Sequence, residues 1–324
     1  MSKHTENALP NGFELENYRI EATIGGGGFS IVYRAIDVDT NEQVVIKEYL
    51  PNTQATRMED ATVSVISEDT TQSFNFGIKR FFAEATILAR INHPNIVKVV
   101  NFFRGNNTVY LVMRYEKGRD LKYHIKRYKG KLSERFMRTV FPELLNGLGM
   151  LHRHKMLHLD VKPANILLRP GGRPLLLDFG AALTSTVGSR SAIGPHTMTM
   201  GFAPVEQHNK GYLGPWTDIY AIGATMWSCI RGKAPPPSLD RAKKDTMKPA
   251  VKQFNNIYSK ELLEAIDWCL HLDQTQRPQT TQEVIDLINS APPLPEASAN
   301  EEIVTEQSVF DKLSAKLPWG KKQA

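Results

Sequence analysis

The first part of the chain alternates apolar and polar residues in the way that predicts β-strands. Such runs occupy four stretches, from Tyr18 to Ile24, Ile31 to Ile36, Val44 to Ile46 and Val109 to Met113. One helix is expected among these strands, because Phe81, Ala85 and Leu88 recur at helical spacing. Pro94 then predicts that this helix has ended, since proline disfavours helix at the residue before it.

From Asp120 onward the apolar residues follow helical spacing instead. Three clear periods run from Val140 to Leu151, from Ile219 to Ile230 and from Leu262 to Leu270. Helices are therefore expected to form most of the second half. The fold class predicted is α+β, with a small β-rich part followed by a larger, mainly α-helical part.

Two segments lie outside this scheme. Residues 51–77 are polar, with Val63 to Ile66 at their centre, and are too long for a simple connection. They predict either a hairpin or a mobile insertion. After Ser290 the composition becomes rich in Pro and Ala, which is typical of a semi-rigid linker.

The end of the chain combines a possible apolar helix face with positive charge. The apolar residues are Val309, Phe310, Leu313 and Leu317, and lysines are interspersed with them and follow them. Two interpretations stay open. The tail is either a solvated end, because so short a segment forms only a marginal helix alone, or a segment that docks on an acidic partner or on the chain itself.

Composition and charge exclude several classes of protein. The chain has 324 residues, of which 41% are hydrophobic, and a net charge of +6, so it has ample material for a core. Basic and acidic residues are interspersed, so no nucleic-acid surface is expected. Cys229 and Cys269 lie in apolar runs and are predicted to be buried thiols in a reducing compartment. With no signal peptide and no apolar run long enough to span a bilayer, a cytoplasmic protein is expected.

A run of glycines follows the first predicted strand and could bring backbone N–H groups close to a polyphosphate. These are Gly25, Gly26, Gly27 and Gly28. By themselves they are as typical of a flexible turn. No Lys-Ser/Thr follows them, and a strand follows rather than a helix, which excludes a Walker loop and a dinucleotide fold.

Two ordered motifs in the second half are far more specific. The first runs His158-Leu-Asp160-Val-Lys162-Pro-Ala-Asn165, and the second is Asp178-Phe-Gly180 after an apolar strand. With these, and with Lys47 in Val44-Val-Ile-Lys47 after the glycine turn, the chain closely resembles the protein kinase family over about residues 15–290. The segments 47–51 and 199–207 are similar to those of bacterial Ser/Thr protein kinases. Further matches to the family are Glu84, Glu206, Asp218 and Arg277.

The resemblance implies a two-lobed protein-kinase-like fold and an activity. An N-terminal extension (residues 1–14) would precede the kinase domain (15–290), whose N-lobe spans about 15–115 and whose C-lobe spans about 116–290. A linker and a short basic tail (291–324) would follow. The activity implied is transfer of the γ-phosphoryl group of ATP to Ser or Thr hydroxyls of protein substrates, with Mg²⁺ as the metal.

The resemblance also implies a role for each matching residue. Asp160 would accept the proton of the substrate hydroxyl, Lys162 would reach the γ-phosphate, and Asn165 and Asp178 would hold Mg²⁺. Lys47 would contact the α- and β-phosphates. The residues assigned to ATP are Ile24, Gly25, Gly26, Gly27, Gly28, Val32, Val45, Lys47, Glu84, Met113, Tyr115 and Leu167, with Glu84 orienting Lys47 through an ion pair.

Other matches are expected to be structural. His158 is predicted to pack beneath the catalytic loop, and Asp218 to organise it. The pair formed by Glu206 and Arg277 is expected to support the large lobe. Thr199 lies where the family has a threonine that contacts the catalytic loop.

Three positions depart from the family pattern. Ser30 replaces the third loop glycine, and Val45 stands where alanine is usual above the adenine. Leu159 occupies the position of the arginine that pairs with a phosphorylated activation loop in many kinases. Control through that arginine is therefore not expected.

Two alternatives to a protein kinase remain. A small-molecule kinase of the same fold is disfavoured by Lys162-Pro163 and by the segment from Gly201 to Gln207, which resembles a peptide-binding segment. A pseudokinase scaffold without turnover is disfavoured because the set of catalytic and metal residues is intact.

Overall fold

The structure is a computed structural model that describes residues 6–179 and 198–294, except for the side chain of Glu84. The strands are β1 (Glu14–Leu15), β2 (Tyr18–Gly27), β3 (Ser30–Asp37), β4 (Gln43–Tyr49), β5 (Ala55–Arg57), β6 (Val63–Val65), β7 (Val99–Gly105), β8 (Thr108–Arg114), β9 (Arg119–Asp120), β10 (Ile166–Arg169) and β11 (Arg173–Leu176). The α-helices are α1 (Glu68–Leu88), α2 (Leu121–Arg127), α3 (Glu134–Arg153), α4 (Val205–His208), α5 (Pro215–Arg231), α6 (Ser238–Lys243), α7 (Ala250–Phe254), α8 (Lys260–Cys269) and α9 (Thr281–Asn289).

The small lobe is built on an antiparallel sheet in the order β1-β2-β3-β4-β8-β7. The four strands predicted from alternation are all present, and each is longer than its apolar run. Strand β7 was not predicted. Asn101 and Arg104 interrupt its apolar pattern, and the register against β8 shifts between Val99 and Asn101, so the side chains do not alternate regularly.

The segment 51–77 contains the predicted hairpin, since β5 pairs with β6 in antiparallel register. The helix that follows was predicted too short. It begins at Glu68 rather than near Phe81, so Gly77 lies inside a helix and not in a loop. The sequence hides the early turns because they are mostly polar. Phe74 fixes them, packing its ring 5.6 Å from that of Tyr49.

A buried carboxylate joins the N-terminal segment to the sheet. Glu48 is fully buried and accepts hydrogen bonds from the hydroxyls of Tyr33 and Tyr110, both at 2.7 Å. Arg57 donates to the same carboxylate at 2.5 Å and to the backbone oxygen of Asn7 at 2.7 Å. Burial, together with the charge of Glu48, raises the pKa of both tyrosines. The residues before β1 are thus held to β4 by side-chain hydrogen bonds.

Helix α5 forms the centre of the large lobe. All of its residues from Thr217 to Ile230 are buried, as expected for an apolar helix surrounded by others. Cys229 and Cys269 are buried free thiols, as predicted, and burial raises the pKa of Cys269 to about 12. Within the described residues, no helix is both long and apolar enough to cross a membrane.

One buried carboxylate on α5 holds the loop that follows α3. Asp218 is fully buried and accepts the backbone N–H groups of His158 at 2.9 Å and Leu159 at 2.8 Å. His152, at the end of α3, contacts the same carboxylate through Nε2 at 2.8 Å. Burial alone would raise the pKa of this carboxyl, but the hydrogen bonds and the neighbouring histidines outweigh burial, and the pKa is lowered.

A close backbone contact fixes the end of α5. Gly232 ends the helix with φ of +82° and lies against Gly130, which has φ of +68° in the turn between α2 and α3. A Cβ atom on Gly130 would overlap the backbone of Gly232. Gly171 has a similar φ of +81°, but no atom lies within 4 Å of where its Cβ would be. A Cβ atom at Gly130 would therefore meet both backbone strain and steric overlap, whereas a Cβ atom at Gly171 would meet strain alone.

We expect Asp218→Asn to lower the free energy of unfolding by about 3 kcal/mol at pH 7. The backbone N–H groups of His158 and Leu159 bond to different carboxylate oxygens, and an amide has only one oxygen that can accept. Urea unfolding measures the change. The matched control is Asp286→Asn on the exposed face of α9, which should change stability by less than about 0.5 kcal/mol. Equal stability of the two variants would contradict the role of Asp218.

The same carboxylate predicts an effect on acid stability. Because its pKa in the folded protein is lower than in the unfolded chain, the ionised group contributes stability at pH values above the ordinary 3.8. That contribution is lost as the pH falls through the lower folded pKa. The decline of wild-type stability below pH 4 should therefore be steeper than that of Asp218→Asn when both are measured by urea unfolding across this range.

For the glycines, we expect Gly130→Ala to destabilise the protein by about 3 kcal/mol or more, since strain at positive φ adds to overlap with the backbone. Gly171→Ala should cost only the strain, about 1 kcal/mol. Chemical denaturation of both variants tests this. A similar loss in the two would show that the contact between Gly130 and Gly232 adjusts freely.

Candidate active site

The loop from His158 to Asn165 gathers donors around one carboxylate. Asp160 Oδ2 accepts from Lys162 Nζ at 2.7 Å and from Asn165 Nδ2 at 2.9 Å. Asp160 Oδ1 accepts from the hydroxyl of Thr199 at 2.9 Å. Lys162 also donates to that hydroxyl, at 2.9 Å. Residues far apart in sequence are thus brought together at Asp160, and the contact expected for Thr199 is present.

The backbone of this loop adopts a conformation that needs support. Leu159 has φ of +62°, which is rare for a residue with a branched side chain. Both of its backbone polar groups are bonded: the N–H donates to Asp218, and the oxygen accepts from Gln207 Nε2 at 2.9 Å. Two buried side chains thus fix the turn that presents Asp160.

His158 packs beneath the loop, as predicted. It is fully buried, its Nε2 lies 3.0 Å from the backbone oxygen of Leu177, and its ring lies 4.7 Å from that of Phe179. Nε2 is therefore engaged by the backbone oxygen of Leu177, and the ring contacts the residues on both sides of Asp178. A structural role follows from this position.

Lys47 and Asp178 meet across the cleft between the lobes. Nζ of Lys47 lies 2.5 Å from Oδ1 of Asp178. The lysine side chain is only 7% exposed, whereas that of Asp178 is 48% exposed. One end of this pair is therefore held in the sheet while the other faces solvent. Glu84 lies on α1, but its side chain is outside the described part of the structure, so its pairing with Lys47 stays a prediction.

The glycine-rich sequence forms the tip of a β-hairpin. Gly25, Gly26 and Gly27 pair with β3, and the chain turns at Gly28 and Phe29. No atom lies within 4 Å of the places where Cβ atoms of Gly27 and Gly28 would be. The tip is tied back by the backbone, since the N–H of Leu50 donates to Phe29 and that of Asn52 to Gly28. The backbone of the hairpin is therefore open to a ligand.

Neighbouring strands bring the predicted adenine-binding side chains together. Val32 on β3 pairs with Lys47 on β4, and Val45 on β4 pairs with Met113 on β8. Ile24 is half exposed on β2, Tyr115 follows β8, and Leu167 lies on β10 in the large lobe. Most of the predicted residues thus lie on the strands of the small lobe, whereas Tyr115 and Leu167 lie beyond the end of β8. Their roles toward a nucleotide stay predictions.

The two residues assigned to a metal have suitable chemistry. Both donors of the Asn165 amide are used, on the backbone oxygen and the carboxylate of Asp160, so its oxygen is the atom available to a cation. Asp178 supplies a second, exposed oxygen donor. Hard divalent cations in such sites take one or two protein oxygens, with the rest from phosphates and water. Within the described residues, no three His, Cys, Asp or Glu side chains form a metal cage.

Leu159 takes part in an apolar contact instead of presenting a charge. It is buried with Leu157 and Leu213, and Met198 packs against this group. Met198 belongs to the segment that leads to Thr199, and Leu213 precedes α5. An arginine at position 159 would need an anion as its partner. This chain instead has an apolar cluster beside Asp160.

The pair expected to support the large lobe is present. Arg277 Nη1 and Nη2 donate to the two oxygens of Glu206 at 2.7 and 3.1 Å, and the arginine side chain is fully buried. Two parallel hydrogen bonds of this kind are strong and directional. They fix α4, and with it Gln207, which bonds to Leu159.

Sequence reasoning missed several residues that position the site. Glu48 was overlooked although it follows Lys47 directly, and a carboxylate within an apolar strand was the available signal. Gln207 and Leu213 carry no local signal. Their positions depend on contacts with Leu159, which is about fifty residues away in sequence.

Known proteins match both the sequence and the fold. The sequence pattern described as "Protein kinase domain" matches residues 18–287. Serine/threonine-protein kinase B of Synechocystis sp. is 29% identical over 84% of this chain, and Serine/threonine-protein kinase PrkC of Bacillus subtilis is 29% identical over 67% of it. A solved structure described as "PpkA-294 apo form" superposes with a TM-score of 0.78 at 35% identity, covering 87% of this chain and 99% of that one.

The two sequence relatives are longer proteins. The matched region spans 46% of the Synechocystis kinase and 31% of PrkC. The two-lobed fold predicted from the motifs is confirmed by the solved structure. With the family pattern covering most of its length, this chain belongs to the protein kinase family, of the bacterial serine/threonine type.

Proposed function

We propose that this protein transfers the γ-phosphoryl group of ATP to Ser or Thr hydroxyls of protein substrates. The observation that carries the proposal is the arrangement around Asp160, where Lys162, Asn165 and Thr199 all donate to one carboxylate. Lys47 and Asp178, which the family uses for phosphates and metal, lie together in the cleft between the lobes.

In this proposal Asp160 is the group that accepts the proton of the substrate hydroxyl. Its three donors hold the carboxylate in one orientation before the substrate arrives, and such positioning is a large part of phosphoryl-transfer catalysis. Lys162 is fixed between Asp160 and Thr199 and from there would neutralise charge on the transferred group.

Lys47 would exchange its partner when the nucleotide binds. In the structure it is paired with Asp178, and in the proposal it moves to the α- and β-phosphates and leaves Asp178 to a metal ion. Mg²⁺, held by Asp178 and Asn165, would supply charge neutralisation of the phosphates. The hairpin tip from Gly25 to Gly28 would cover the phosphates with backbone N–H groups.

Control by phosphorylation of the activation loop is not part of the proposal. Leu159 lies in an apolar cluster with Leu157, Leu213 and Met198 and provides no cation at the place where the family arginine receives a phosphate. Activity is therefore proposed not to require that phosphate.

We expect purified protein to phosphorylate a generic Ser/Thr peptide with Mg²⁺ and ATP, and Asp160→Asn to lower kcat by roughly 10²- to 10⁴-fold, the usual contribution of a positioned base. Asp178→Ala should abolish turnover that depends on the metal. Radiolabelled phosphate transfer measures both. If neither variant lost activity, the assignment of Asp160 and Asp178 would be wrong.

Thr199 offers a finer test of the network. Thr199→Val removes the hydroxyl that joins Asp160 to Lys162 and should lower kcat by roughly 10- to 100-fold, because small displacements of catalytic groups have effects of this size. Thr199→Ser keeps the hydroxyl and should retain activity within about threefold. Steady-state kinetics on a peptide tests the pair. Full activity in Thr199→Val, or an equal loss in both variants, would contradict the assignment of the effect to the hydroxyl alone.

The loop residues Thr184, Ser185, Thr186, Ser189 and Ser191 lie outside the described residues. Replacing all five by alanine should change activity on an external peptide by less than about fivefold, or about 1 kcal/mol, because Leu159 cannot bind a loop phosphate. A large loss of activity that acidic replacements restore would contradict this and would require another cationic receptor.

A further inference from the structure

The two lobes are joined by residues 115–118, between β8 and β9, which we call the hinge. A groove of about 370 Å³ lies behind it. We name it the hinge-back groove. It is formed by the loop between α1 and β7, the end of β8 and the hairpin β10–β11, and its lining includes His93, Lys98, Arg114, Glu116, Arg169 and Leu175. Both lobes therefore contribute to its walls.

The groove is separate from the proposed nucleotide site. Arg114 follows Met113 on β8, and successive side chains of a strand point to opposite faces. Met113 belongs to the face proposed to meet the adenine, so Arg114 points away from it, toward the groove. The N–H of Arg114 donates to the backbone oxygen of Lys98 at 2.9 Å, which keeps these two cations on neighbouring strands.

The charges of the groove are unbalanced. Three basic side chains, Lys98, Arg114 and Arg169, face one acid, Glu116, whose Oε2 lies 4.0 Å from Arg169 Nη1. Among the described residues, neither Lys98 nor Arg114 forms a salt bridge. The Nε–H of Arg169 is buried and makes no hydrogen bond to any described residue. Such a donor is inaccessible to a ligand, but the excess of basic over acidic side chains along the walls suits the groove to an anionic ligand.

The end of the described chain and one wall of this groove both contact α3. Arg138 on α3 donates to the backbone oxygens of Ala291 and Pro292, at 3.0 and 2.7 Å. Five residues along the same helix, about 7.5 Å, Glu143 accepts from Asn95 Nδ2 at 3.1 Å. Asn95 lies between Pro94 and Ile96, both of which line the groove. Five residues also turn the helix by about 140°, so the chain leaves the large lobe on a different side of α3 from the groove.

The sequence that follows has the complementary charge. Residues 296–306 contain Glu296, Glu301, Glu302 and Glu306 and neither lysine nor arginine. The eight steps along the chain from Leu294 to Glu302 span up to about 27 Å when extended. That reach exceeds the diameter of an α-helix, about 10–12 Å, so the acidic residues can pass α3 toward the groove.

We propose that the acidic segment 296–306 of this chain docks in the hinge-back groove. Its glutamates would bind Lys98, Arg114 and Arg169, and hydrogen bonds between arginine and carboxylate are among the stronger ones that proteins form. Because the groove has walls from both lobes, a docked segment would connect them behind the hinge. The proposal does not depend on the protein being an active kinase.

Disulfide trapping in the full chain tests the proposal, since the two native cysteines are fully buried. Asn92→Cys on the rim of the groove is combined with Asn300→Cys, so that no charge is removed. The matched control combines Asn300→Cys with Thr139→Cys, an exposed residue next to Arg138. We expect the Asn92 pair to close at least about tenfold faster than the Thr139 pair under mild oxidation, and the difference to shrink in 1 M salt.

Charge reversal identifies the contact. Glu301→Lys with Glu302→Lys should remove the advantage of the Asn92 pair, Lys98→Glu should reduce it, and combining Lys98→Glu with Glu302→Lys should restore part of it. Equal closing rates for the two cysteine pairs would overturn the proposal, as would an advantage that charge reversal leaves unchanged. Disulfides formed mainly between two molecules at low protein concentration would also overturn it, in favour of a second copy as the occupant.

Discussion

The buried carboxylate of Asp218 is the interaction on which the site depends. It lies in the middle of the lobe on α5 and accepts the backbone N–H groups of His158 and Leu159. Leu159 has a positive φ that a leucine would not adopt unaided. Asp160 follows directly, so the direction of its side chain is set by a group that never faces the cleft. The charge of Asp218 can be buried here because both of its carboxylate oxygens accept hydrogen bonds.

Strand β4 has a comparable role in the small lobe, where adjacent residues serve opposite purposes. Lys47 contacts Asp178 in the cleft. Glu48 is buried with Tyr33, Tyr110 and Arg57, and through Arg57 it holds the segment before β1. Alternation along the strand makes this division possible. The packing behind the sheet is therefore directly connected to the residue proposed to hold the phosphates.

The segment around Leu159 shows how the same loop geometry can be stabilised without a charge. Apolar contact among Leu157, Leu159, Leu213 and Met198 needs no modification to form, because burial of apolar surface is favourable in itself. An arginine at this place would be costly to bury without an anion. The residue type at this one position thus decides which physical force holds the segment.

The sequence by itself determined the class of fold, the family and the identity of the residues around Asp160, because alternation, helical spacing and ordered motifs are local properties of the chain. It also determined that Cys229 and Cys269 would be buried. It did not determine where α1 begins, since the first turns of that helix are polar and are fixed by Phe74 packing on Tyr49. Nor did it predict β7, where a bulge disturbs the alternation.

Only the tertiary structure decided which distant groups hold the site and what charge gathers elsewhere. Gln207 reaches the backbone of Leu159, and Arg57 reaches Glu48, through contacts that no spacing in the sequence encodes. The hinge-back groove likewise exists only because three separate segments bring Lys98, Arg114 and Arg169 together. Local patterns specify elements, whereas hydrogen bonds and charges act through space, so their partners become known only when the chain is folded.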